Sequence, residues 1–126
     1  MSPEVFNNIC NNVHEDVVNL LNSKAREYGP GSDRFNHNKK LATMLGTNPV
    51  FATVCEASKH YITICDMAKH PEDYTVETWN GRLYDMIAYL YIITALLDEV
   101  YGTDHNISEA RKWLDMLIKY FMKVMT

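Results

Sequence analysis

The chain has 126 residues, 47% apolar and 22% charged, which suits one soluble domain able to bury a core without metal or disulfide staples and excludes a disordered chain. Twelve basic against sixteen acidic side chains give a net charge of −4, which argues against general nucleic-acid binding, whose footprint is basic.

The first helix is predicted to open with Ser2 as N-cap and Pro3 in the first helical position, with Glu4 where the helix dipole favours an acid. Met-Ser-Pro-Glu-Val lacks the basic and apolar regions of a signal peptide. Val5, Ile9, Val13, Val17, Leu20, Leu21, Lys24 and Tyr28 then recur at three- and four-residue spacing, so one face is expected to pack inward. Asn7, Asn8, Asn11 and Asn12 decorate the other side. Gly29 and Pro30 mark the stop, and Gly29-Pro-Gly-Ser-Asp33 reads as a turn.

A short second helix is expected over about 34–45, with Phe35, Leu41 and Leu45 inward. Gly46-Thr-Asn-Pro49 stops it and starts a third, with Asn48 capping and Pro49 opening. That third helix is expected to bury Phe51, Val54, Cys55, Ser58, Tyr61, Ile62 and Cys65 and to fail near His70-Pro71. The fourth begins near Thr75 and runs to about Tyr101, with Gly102 ending it. Asn80-Gly81 weakens its start, so regular helix is expected only after that pair. Ser108 is expected to cap a final helix whose Trp113, Leu117, Phe121 and Val124 form one stripe. The prediction is an all-α single domain over 1–126, a bundle of about five helices.

The most informative run is Met86–Leu97, uncharged throughout and bounded by Asp85 and Asp98-Glu99. A helix apolar on nearly every side belongs in the centre of a bundle or in a subunit interface. It is too short to span a bilayer, which takes about 20 apolar residues. Oligomerisation is expected through helix 82–101, the C-terminal helix with its surplus of Trp113, Met116, Tyr120, Met122 and Met125, or both. The odd number of cysteines, Cys10, Cys55 and Cys65, with no CxxC pair, predicts small buried hydrophobes in a reducing cytoplasm.

Four groups compete for chemistry. Antiparallel packing of helices three and four would bring Glu56, His60 and Asp85 within a few ångströms; Lys59, Thr63, Asp66, Arg82 and Tyr89 share those helices. Carboxylates suit Mg²⁺ or Mn²⁺, against the plainer reading of a buried polar cluster. Lys24, Arg26, Arg34, His37, Lys39 and Lys40 gather basic charge around the Gly-Pro-Gly turn, fit to grip phosphate or simply a solvated loop paired with Glu27 and Asp33. His14-Glu15-Asp16 points in three directions and reads as solvated surface. Seven Met and eight Tyr read as core filling, with the last helix as oligomer or partner surface. No Ser-His-Asp or Cys-His order and no Gly-rich dinucleotide turn is present, so acyl and hydride transfer are disfavoured.

Lys24-Ala-Arg-Glu-Tyr-Gly29, then Arg34-Phe35 and the stretch ending Leu45-Gly46, resembles the front end of small MazG-like proteins, many of them phage-encoded. Asp85-Met-Ile-Ala-Tyr89, opening an apolar helix, resembles their back-end signature, and the likeness spans roughly residues 14–100. It implies an all-α dimer or tetramer and Mg²⁺-dependent hydrolysis of nucleoside triphosphates to a monophosphate and pyrophosphate. In active members, two acids one turn apart on one helix and a Glu and an Asp on the next hold the metal. Asp85 corresponds to the final acid and Glu56 to one of the first pair. Their expected partners fall on Lys59 or His60 and on Arg82, with Asp66 or Asp98-Glu99 able to compensate in a shifted register.

Three functions follow. The first is a divergent pyrophosphohydrolase in which Glu56, Asp85, His60 and Asp66 hold Mg²⁺ or Mn²⁺, Lys59, Arg82, Arg34 and Lys40 stabilise phosphates, and Tyr89 or Trp79 meets the base. The second is a non-catalytic binder of a nucleotide or nucleotide signal, for which the cationic replacements speak. The third is a counter-defence or regulatory inhibitor acting on a protein target through the final helix. Under each, the expected place is the cytoplasm, of the host if phage-encoded.

Overall fold

A computed structural model describes residues 1–28, 33–102 and 107–125, with side chains over 1–27, 33–102 and 112–125. Those residues form five α-helices, α1 (Pro3–Tyr28), α2 (Asn36–Leu45), α3 (Pro49–Ala68), α4 (Val76–Tyr101) and α5 (Ile107–Met125), with one 3₁₀ turn at Pro71–Asp73. The all-α bundle read from the sequence is the observed fold. The proposed turn at Gly29, Pro30, Gly31 and Ser32, and the capping contacts of Ser108, lie outside the described residues.

Local chemistry sets the helix ends. Asn48 accepts from the Phe51 amide at 2.9 Å, with Pro49 in the first turn, and Thr75 accepts from the Thr78 amide at 3.1 Å. Each bond satisfies one of the donors that a helix start leaves open. Gly46 ends α2 at φ 66°, a left-handed conformation that costs glycine least, and the Thr47 amide reaches back to the Ala42 carbonyl at 2.9 Å. Asn80-Gly81 does not delay α4, which is helical from Val76. Tertiary contact offsets the glycine penalty there: the Trp79 indole donates to the Pro71 carbonyl at 3.0 Å and meets the Tyr74 ring edge-on.

The core runs along α4. Ile93 and Leu96 are fully buried, with Ala88 and Leu97 beside them, and α4 packs against α1, α3 and α5. The apolar run Met86–Leu97 therefore lies in the central helix of the bundle. Val17 is the buried anchor of α1, and Ala52, Ala57 and Met67 are the buried apolar residues of α3. Polar bonds line the α1–α4 seam: His14 Nδ1 lies 2.9 Å from the Tyr91 hydroxyl, and the Tyr84 hydroxyl donates to Asp16 at 3.3 Å. Thus His14 and Asp16, read as solvated surface, are exposed yet tied to α4.

The inward face of α3 is not the expected one. Phe51 (56% exposed), Ile62 (60%), Cys55, Ser58 and Cys65 face outward, while Ala52, Thr53, Ala57 and His60 face α2 and α4. Small side chains there let α4 approach closely, so the larger apolar face is left outside. Leu45, Val5 and Ile9 are likewise exposed rather than inward, and α2 buries Asn38 and Ala42 instead. All three cysteines are free and exposed, which corrects their reading as core residues.

Candidate functional site

Four helices and one turn converge on a cavity of about 370 Å³. Leu20, Leu21 and Lys24 come from α1; Arg34, His37 and Asn38 from the turn before α2 and its first residues; Glu56, Lys59 and His60 from α3; Asp85, Ala88, Tyr89 and Ile92 from α4. The volume is within the range of small-molecule sites. The antiparallel register of α3 and α4 pairs Glu56 with Tyr89 and His60 with Asp85, as the shared helical faces required.

The floor is built from those pairs. The Tyr89 hydroxyl donates to Glu56 Oε2 at 3.0 Å, and the Tyr89 and His60 rings lie tilted with centroids 5.3 Å apart. Glu56 Oε1 faces His37 Nε2 at 3.4 Å, and His60 Nδ1 faces Asp85 Oδ2 at 3.9 Å. Both approaches are too long or poorly aligned for a hydrogen bond, so Glu56 Oε1 and His60 Nδ1 are buried without a hydrogen-bond partner. Two such atoms in one cavity are unusual for a finished core, where buried polar groups are bonded.

His60 is only 8% exposed. Burial pushes its imidazole below the ordinary histidine range; Lys59, Arg82 and Lys24 push the same way, and Asp85 opposes them. At neutral pH it is therefore a neutral ring with one donor and one acceptor nitrogen.

The rim carries the positive charge. Asp33 accepts from the Phe35 amide at 2.9 Å and from Lys39 at 2.7 Å, and Lys39 also reaches Glu99 on α4 at 3.1 Å. Lys39 holds the Asp33 carboxyl below the usual range, helped by the Phe35 amide, and Asp33 and Glu99 hold Lys39 above its own. This network fixes the Asp33–Phe35 turn. Arg34 then donates to the Leu21 carbonyl at 3.3 Å, lies 6.0 Å from the centre of the Phe35 ring and lines the cavity wall.

Glu56, Asp85, His60, Lys59, Arg34 and Tyr89, singled out in the sequence, thus meet in one place. Arg82 does not line the cavity but acts on His60 electrostatically. Lys40 and Asp66 are exposed and outside it; Asp66 pairs with Lys69 at 3.5 Å, one turn along its own helix. Asp66 points off the α4-facing side of α3, so no register shift brings it in. Lys24 and His37 enter from the basic group of the sequence. Asn38 carried no signal: its amide donates to Thr53 at 2.9 Å in a buried bond, and nothing local marks a polar residue for burial.

The donor set does not fit Mg²⁺ or Mn²⁺. Among the described residues no group of three or more His, Cys, Asp or Glu side chains is placed to hold a metal ion. Lys24, Arg34 and Lys59 line the same hollow as Glu56 and Asp85, and two acids among these cations suit anion binding better. No helix among the described residues is long and apolar enough to cross a membrane. Comparison with models of protein families, with curated proteins and with solved structures finds no match to this chain.

Proposed function

We propose that the protein is a divergent MazG-like helical protein that binds a nucleotide in the cavity between α1, α2, α3 and α4 without hydrolysing it. The observation that carries this reading is the cavity itself: on a chain of net charge −4, Lys24, Arg34 and Lys59 from three separate segments line one hollow of about 370 Å³. Phosphate charge offsets theirs, and the tilted Tyr89 and His60 rings offer a flat wall for a base. The same cations disfavour a divalent metal, which is why binding is preferred to Mg²⁺-dependent pyrophosphate release. Three free, exposed thiols suit a reducing compartment, and the reading places the protein in the cytoplasm.

The reading includes a homo-oligomer. A folded monomer of 14.6 kDa exposes about 6,900 Å², whereas this protomer exposes 9086 Å². The excess of about 2,200 Å² is within what one partner buries in an obligate dimer. Outward apolar side chains such as Phe51, Ile62, Trp113, Met116 and Tyr120 supply the surface.

Calorimetry with ATP, GTP, CTP and UTP in EDTA is expected to show binding. Arg34→Ala or Lys59→Ala should weaken it about tenfold, the usual worth of a charge-assisted hydrogen bond. Pyrophosphate release in Mg²⁺, abolished by Asp85→Ala, would replace binding by hydrolysis. No nucleotide binding at all would leave docking on a protein target, for which a pull-down lost on Trp113→Glu is the measurement.

A further inference from the structure

Glu56 is the least settled side chain in the cavity. It is four-fifths buried and held at one oxygen by the Tyr89 hydroxyl. Its other oxygen has no hydrogen-bond donor. A buried acceptor left so has lost its hydration with no bond in exchange. Such a group calls for an explanation, and a ligand donor that completes it is one. His60, nine-tenths buried and on the same face one turn later, has Nδ1 without a hydrogen-bond partner as well. The cavity therefore offers an unsatisfied carboxylate beside a neutral imidazole, next to the Tyr89 ring. The rim cations are donors only, so they cannot accept a base amino N–H, whereas Glu56 can.

We infer that Glu56 is the base-reading residue of this site, selecting nucleotides whose base carries an exocyclic amino group. The inference rests on the nucleotide reading above. Tyr89 fixes Oε2, so the carboxylate presents Oε1 towards His37 Nε2 at 3.4 Å. His37 is half-exposed at the start of α2, and a ligand N–H would take the place of its Nε2. The His60 ring offers a donor or an acceptor nitrogen to the atom beside the amino group, since a neutral imidazole has one of each. Guanine, adenine and cytosine all present an amino N–H next to an acceptor or a second N–H. Uracil puts a carbonyl oxygen where the amino group would be, and its one N–H is flanked by two carbonyls. A carboxylate repels both, so uracil leaves Oε1 unpaired.

The test is calorimetry of the full chain with GTP, ATP, CTP and UTP in EDTA, for wild type and Glu56→Gln. The expected result is that UTP binds about tenfold more weakly than the other three, as for a site that hydrogen-bonds a ligand donor. Glu56→Gln should weaken the three amino bases about tenfold and leave UTP no weaker than in wild type, because the amide can donate to its carbonyl. Equal losses across all four, or no loss, would overturn base reading by Glu56 while nucleotide binding stood. Binding of none of the four by wild type would overturn both. Should Glu56→Gln fail to fold, Tyr89→Phe, which removes only the hydroxyl that fixes Oε2, is expected to narrow the preference against UTP; an unchanged preference would count against the inference.

Discussion

At Thr53 one hydroxyl serves two partners, donating to the Pro49 carbonyl at 2.7 Å and accepting the Asn38 amide at 2.9 Å. Thr53→Val leaves that amide buried without an acceptor, so a loss of about 1–3 kcal/mol is expected, read as a fall of several degrees in thermal midpoint. Pairing it with Asn38→Leu should recover part of the loss, because two apolar partners leave nothing unsatisfied. His60 gives a pH prediction. Its imidazole titrates lower when folded than in the unfolded chain, where the value is about 6.5. Above that pH both states are neutral and stability is unaffected. As pH falls through about 6.5 the unfolded chain takes a proton that the folded one resists, and stability is lost down to the folded value. Melting followed from pH 7.5 to 5 should therefore decline less steeply in His60→Gln than in wild type. His60 could be named from the sequence because its spacing from Glu56 is visible there. Its neutral state could not, since that depends on burial and on Lys24 and Arg82 from other helices.

Among the helices, α4 explains most of the architecture. Its uncharged run is readable as a buried helix from composition alone, and the structure shows it at the centre. Leu96 is fully buried there, so Leu96→Ala should cost about 2–5 kcal/mol in chemical denaturation, while Leu83→Ala, at a position 39% exposed, should cost clearly less. The caps at Asn48, Pro49, Thr75 and Gly46 were equally legible, since they act through their own neighbours, although Asn80-Gly81 wrongly pointed to a later start of regular helix in α4. The facing of α3 was not. Phe51, Cys55, Ile62 and Cys65 repeat at helical spacing just as a core stripe does. Periodicity says that a face is apolar, not whether α4 or something outside the protomer covers it.

At the scale of the whole molecule, the proposed homo-oligomer is tested by its mass in solution. Sedimentation is expected to give at least a dimer at micromolar concentration, and Ile62→Glu or Trp113→Glu, both outward-facing, should shift it towards monomer with helical content retained. A monomeric wild type would refute the oligomer. The sequence by itself determined the all-α class, the positions of the helices between Pro3 and Tyr101, and the residue types able to meet phosphate, because caps, periodicity and charge act over one or two turns. Only the tertiary structure decided which of those residues share a cavity. It kept Glu56, His60, Asp85, Lys59, Arg34 and Tyr89 together and left Asp66 and Lys40 outside. The physical reason is that convergence depends on the rotation of each helix about its own axis. That rotation is fixed by close packing of side chains far apart in the chain, Ala52 and Ala57 on α3 and Ala88 on α4, where small residues admit contact that no local pattern announces.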